Sequence, residues 1–197
     1  MESTETKPHP ESVIACQQVL LEDAAVFSIQ WMVMPAVHAS RLTPDALLES
    51  YLAHIRRFTL GLIRPARTET GIEFRLLGST CALLRFTPPL SQGDGALTLA
   101  ICGGVLVQRD QCRRGELAFL AEPTPDGIKV ILRLSDYCPL LLGSRSPSPL
   151  RKWLYRMTQA SIHKLVTIRF LSRLYRELTG NRSVQVVKIR VQNGEEI

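Results

Sequence analysis

Residues 71 to 142 run in short apolar stretches separated by turn residues, the pattern of antiparallel strands joined by tight turns. The spacing predicts strands over 72–77, 81–86, 96–107, 116–121 and 128–134. Asp126-Gly127 lies between the last two, and that dipeptide supports a hairpin turn, because glycine accepts the positive φ the turn needs. Gly103-Gly104 falls inside the longest predicted strand. Glycine weakens a flat strand and serves where a sheet bulges or bends, so the pair predicts a bulge or sharp bend in a curled sheet.

A curled sheet needs something to wrap around, and the chain supplies a candidate after the Ser/Pro stretch 143–149. Leu150, Trp153, Leu154, Met157, Ala160, Ser161, Ile168, Leu171, Tyr175 and Leu178 recur at helical spacing. Gly180 stands where a C-cap belongs. This predicts a helix of about thirty residues from 149 to 179.

Upstream, 26–34 is the better of one or two strands in 12–34, and Pro35 ends it. Thr43-Pro44-Asp45 is a helix start: the threonine caps free amides, proline fits the first turn, and aspartate suits the positive dipole end. Leu47, Leu48, Tyr51, Leu52 and Ile55 then predict a helix over 44–59. Residues 183–191 alternate as a final strand or run on as an extended tail. With 197 residues, 45% of them hydrophobic, the chain can bury one full core. The expected organisation is a tail over 1–11, one domain over 12–191 and a short tail over 192–197. Its class is α+β, a curled antiparallel sheet wrapped around a long C-terminal helix.

The order strand, helix, antiparallel meander, long C-terminal helix resembles the helix-grip fold. The Pro125-Asp126-Gly127 hairpin, the apolar strand ending in Tyr137-Cys138-Pro139 and the helix resemble the START-like and polyketide-cyclase-like (SRPBCC) superfamily. The extended segment after Gly180 departs from its usual ending. The resemblance implies a cavity between sheet and helix for a hydrophobic or amphipathic small molecule. It does not decide catalysis, since the superfamily holds enzymes and non-enzymes, and no catalytic residue carries over.

Several function classes find no support. The sequence has no G-x-S-x-G, Walker A, G-x-G-x-x-G or H-E-x-x-H pattern, so no cofactor is expected. His9 falls in the tail, and His38, His54 and His163 stand far apart, so no metal site is expected. The five cysteines (16, 81, 102, 112, 138) are odd in number and scattered, with at least four read as small buried side chains and Cys112 as the exposed one. The N-terminus carries no basic and apolar leader, and no apolar run approaches the ~20 residues of a membrane span. Even 128–142 is broken by Lys129, Arg133, Asp136 and Pro139. The expected location is the cytoplasm.

Charge is unevenly spread. From Arg145 onward eleven Lys or Arg face three Glu, leaving +8, while the rest of the chain carries −2. Such an element attracts anions or is simply a solvated helix face. Nucleic acid is disfavoured because few aromatics interleave with the basic residues. Peripheral membrane contact stays open.

Candidate ligand-binding residues are Lys164, Met157, Trp153, Tyr175 and Arg133. Lys164 projects near the centre of the apolar face set by Trp153, Met157, Ile168 and Tyr175, where an unpaired ammonium is costly. It either pairs a ligand's carboxylate or phosphate or extends its head to solvent. Ile162, Val166 and Phe170 form a second apolar stripe on the other side of the helix. That stripe must be covered by the N-terminal segment, by a second subunit in a homodimer, or by a membrane surface. Arg151, Arg169, Arg173 and Arg176 lie between the stripes. Arg75, Arg85, Arg133 and Glu116 on candidate strands could face inward, and the register leaves their side open. Three functions follow: a non-catalytic module binding a small hydrophobic or amphipathic ligand, with an anionic one included; an enzyme acting on such a ligand; or an interaction or membrane-surface protein using the basic helix.

Overall fold

In a computed structural model the chain is α+β, with a large, mostly antiparallel, uncurled sheet and few helices. The residues described are 13–93, 95–108, 114–142, 150, 161–189 and 195–196. Strands β1 (Val13–Leu20) and β2 (Val26–Met34) form an antiparallel pair. Helix α1 (Pro44–Phe58) follows, and then β3 (Ile63–Thr68), β4 (Gly71–Leu76), β5 (Ala82–Phe86), β6 (Leu90–Gln92), β7 (Ala96–Gly103), β8 (Glu116–Thr124) and β9 (Gly127–Tyr137) make the meander. Helix α2 (Ser161–Thr179), β10 (Gln185–Lys188) and β11 (Glu195–Glu196) complete the order. Across the sheet the strands lie β10-β1-β2-β9-β8-β7-β5-β4-β3, with β6 paired to β7 and β11 to β1. Only β1–β10 is parallel among the described pairs.

Local chemistry explains the punctuation. Thr43 caps α1 by accepting from the Ala46 amide at 3.3 Å, with Pro44 and Asp45 in the first turn as expected. Gly180 closes α2 at φ +74°, its amide donating to the Arg176 carbonyl at 2.9 Å. The β8–β9 hairpin turns at Pro125-Asp126. Gly127 there has φ +145°, and a Cβ would sit 2.2 Å from the Met34 carbonyl oxygen, so only glycine fits.

Gly103-Gly104 ends β7 rather than curling it. The register between β5 and β7 slips between Arg85/Gly103 and Phe86/Ile101, which is the bulge the sequence predicts. Val105 and Leu106 then donate to the Ala82 and Leu83 carbonyls, carrying the chain across β5. Strand β3 is absent from the sequence reading. It is the terminal strand of the sheet, where Pro65, which cannot donate, costs no ladder bond. Glu195–Glu196, expected in a tail, pair with Leu20 and Val19 of β1.

The core lies between one sheet face and the two helices. Residues 26, 28, 30, 32 and 34 of β2 alternate onto that face beside Tyr137, Leu134, Leu132 and Val130 of β9. Helix α1 packs on β3, β7 and β8, whereas α2 packs on β1 and β2, and the helices touch each other. Tyr51 of α1 meets Phe119 of β8 edge-on at 5.4 Å and Phe170 of α2 at 5.3 Å. His54 joins this junction, its ring 5.6 Å from that of Phe170. Burying such a phenylalanine contributes about 1.5–3 kcal/mol.

This junction corrects the expected helix face. Val166 and Phe170, read as a stripe that the N-terminal segment, a second subunit or a membrane surface must cover, are 4% and 1% exposed within this chain's own core. They share the core with Leu171, Leu174 and Tyr175, because α2 sits in the corner between the sheet and α1 and is buried over a wide arc. The expected helix of about thirty residues is described only over the 19 residues of α2. Trp153, Met157 and Arg151 lie outside the described residues.

Candidate functional site

An apolar pocket of about 220 Å³ opens between the meander and the two helices. Tyr51 and Ile55, one turn apart on α1, form one wall. The floor comes from alternate residues of the sheet: Phe74 and its edge-on partner Phe86 at 5.2 Å, with Leu84, Ile101, Leu117 and Leu134. Ile162, His163 and Val166, on the first turns of α2, close the other side. Ile162 is 56% exposed and marks the rim, while Val166 is buried.

Four side chains bring polar atoms to this lining, and two of them, Thr59 and Tyr137, make hydrogen bonds to the backbone. The Thr59 hydroxyl donates to the Ile55 carbonyl at 2.8 Å and accepts from the Ile63 amide at 3.0 Å. The Tyr137 hydroxyl donates to the Leu106 carbonyl at 2.8 Å. Burial pushes the Tyr51 phenol up to about 12, with the Thr167 hydroxyl pulling the other way. His163 has no hydrogen-bond partner among the described residues and, unlike Tyr51, is part-exposed. Burial alone pushes its imidazole down to about 4, so it is neutral at pH 7. Its part-exposed surface and its desolvation agree if the exposed part faces the pocket.

No described residue lining the pocket is charged. Lys164 is half-buried on α2 and is not part of the lining. Tyr175 is buried in the core near the far end of α2. Arg133 lies on the opposite sheet face, paired in register with Ile29 of β2 and Ala118 of β8. Of the residues singled out from sequence, Ile162 and Val166 line this pocket, Lys164, Tyr175 and Arg133 do not, and Trp153 and Met157 lie outside the described residues.

Other strand charges also lie on the outer face. Glu73 receives Arg75 Nε at 2.7 Å and, across the β4–β5 pair, Arg85 Nε at 3.2 Å. Glu116 is exposed. Cys16 and Cys138 are buried, but Cys81 is exposed and Cys102 half-buried, correcting the expectation for those two; Cys112 lies outside the described residues. Cys81, Cys102 and Arg85 border a second, open groove beside the Gly103-Gly104 bulge. Among the described residues no group of three or more His, Cys, Asp or Glu could hold a metal ion. No helix there is long and apolar enough to cross a membrane, which says nothing of crossing by strands.

Sequence reasoning passed over His163 because it has no partner nearby in the chain. Its signal was local: a histidine between Ile162 and Val166, about two helical turns before Phe170 and Leu171.

No family model matches the chain. No curated protein matches it either. Among solved structures it is similar to CalU16 from Micromonospora echinospora. The solution NMR structure has 13% identity and a TM-score of 0.40, over 89% of this chain and 78% of that one. The crystal structure has 15% identity and a TM-score of 0.35, over 86% and 92%.

Proposed function

We propose that this chain is a helix-grip-type module that binds a small hydrophobic or amphipathic molecule between its sheet and helices. The observation carrying this reading is the pocket of about 220 Å³ lined almost wholly by apolar and aromatic side chains. Interiors are otherwise packed to crystal-like density, so a void this size forgoes contacts that a ligand would restore. The element order supports the architecture: β2 lies beside β9, the meander runs outward to β3, and both helices cover one face. Binding fits the described lining, which is apolar but for Tyr51, Thr59, Tyr137 and His163 and holds no carboxylate, lysine or arginine.

Calorimetry with a panel of small aromatic and aliphatic compounds tests this, using wild type and Leu84→Trp. Leu84 is half-buried in the lining, so tryptophan can occupy the void without rebuilding the core. Binding by wild type, lost in a variant of unchanged melting temperature, supports the reading. Equal binding by both proteins would place the ligand elsewhere.

A further inference from the structure

The pocket's size, the absence of charge from its described lining and a part-exposed imidazole with no hydrogen-bond partner among the described residues together restrict its occupant. Resting on the binding function above, we propose that the pocket selects a neutral, rigid molecule of one or two fused rings with a single hydroxyl group, which His163 holds by a hydrogen bond at the rim.

Size sets the first limit. A dry cavity of about 150 Å³ accommodates benzene, so 220 Å³ leaves room for about one further ring. A long acyl chain or a sterol would extend beyond that volume. Phe74, Phe86, Tyr51 and Tyr137 offer ring edges and faces, which favour an aromatic guest over a flexible one.

Charge sets the second. A carboxylate entering this pocket would lose its hydration and meet no cation among the described lining residues. Lys164, which follows His163 directly in the chain, lies outside the lining, and Arg133 is on the far side of the sheet. An anionic amphiphile, expected from the position of Lys164, is thus disfavoured here.

The polar groups set the third. Thr59 and Tyr137 donate to backbone carbonyls. Tyr51 is buried at the inner wall between Phe119 and Phe170, whereas His163 is part-exposed. His163 remains, and a neutral imidazole presents one donor and one acceptor. A hydroxyl group has the same pair and can satisfy either nitrogen whichever tautomer is present. A hydrocarbon would leave the imidazole unsatisfied as the ring excludes water from it.

Three probes separate the ideas: naphthalene, 2-naphthol and 2-naphthoate, titrated at pH 7 into wild type, His163→Phe and His163→Gln. For wild type, 2-naphthol should bind about three- to tenfold more tightly than naphthalene, the span of one neutral hydrogen bond. The naphthoate should bind at least about tenfold more weakly than the naphthol. His163→Phe should erase the naphthol preference and leave naphthalene within about threefold, while His163→Gln, which still offers a donor and an acceptor, should keep part of it. The wild-type comparison needs no variant, so misfolding of either would leave the charge test intact. Naphthoate binding as tight as naphthol, or a naphthol preference that survives His163→Phe, overturns the selectivity while leaving the binding function standing. If none of the three binds up to its solubility limit, both are overturned.

Discussion

Over β7, β8 and β9 the layer between sheet and helices leaves an apolar pocket, whereas over β1 and β2 it closes on polar side chains. In the second region Cys16 sits opposite Gln30 and Gln18 opposite Ser28. Gln30 Nε2 donates to Ser28 Oγ at 2.7 Å, and Thr167 of α2 is fully buried above the strands. Both polar ends of Gln18 and the Gln30 oxygen lack hydrogen-bond partners among the described residues. A void beside such groups fills with water, while one lined by Phe, Leu and Ile stays dry and open to an apolar guest. The same sheet face thus offers two environments, and the site follows the apolar one.

The sharpest way to break this contrast is at the seam where the regions meet. Phe170→Ala removes the ring that Tyr51 and His54 pack against, and it should cost about 3–5 kcal/mol of unfolding free energy in urea. Leu84→Ala, which enlarges a pocket already half open, should cost less than half of that. Equal losses would mean that the pocket is as tightly packed as the seam.

Next in size is the response to acid. The folded-state pKa of His163 lies below that of the unfolded chain, so between about 6.5 and 4 the unfolded state binds more protons. Stability is therefore fully present above pH 6.5 and falls as the pH drops toward 4. His54, also pushed down by burial and by Arg173, adds with the same sign. The expected loss from pH 7 to 4.5 is about 1–3 kcal/mol, and His163→Gln should flatten the curve measurably. A slope identical in that variant would remove His163 from the buried set.

A smaller effect probes the polar region. Gln18→Leu, which takes two unpartnered polar atoms out of a buried site, should leave stability unchanged or raise it by about 1 kcal/mol. A loss above that would show that Gln18 is bridged by water, and would sharpen the contrast with the dry pocket. Smallest of all, Glu73→Gln weakens two partly solvated ion pairs and should cost about 0.2–1 kcal/mol, readable as a slight shift in the urea midpoint.

The comparison also shows what the amino-acid sequence reveals and where it falls silent. Elements with their own local chemistry were legible: Thr43-Pro44-Asp45 opens α1, Gly180 ends α2, and Pro125-Asp126 followed by Gly127 turns the β8–β9 hairpin. Strand β3 was not, because Arg64, Pro65 and Arg67 hide its alternation at an edge that needs no second neighbour. The buried face of α2 is wider than the one expected, for a physical reason. Periodicity was read for a helix with one neighbour, but α1 adds a second, so Val166, Thr167 and Phe170 are buried as well as Leu171 and Tyr175. Lys164 looked central only on the narrower face. The pocket itself is space that side chains from eight elements fail to fill, and no spacing along one chain reports that.

The central claim is that an apolar guest enters beside β7, β8 and β9 and leaves the β1 and β2 region untouched. Methyl NMR during a titration with 2-naphthol tests it most directly. The account predicts progressive shifts for Ile101, Leu117, Leu134 and Val166, with Ile14 and Leu20 of β1 unmoved. Shifts centred on Ile14 and Leu20, or no methyl shift at saturating naphthol, would contradict it.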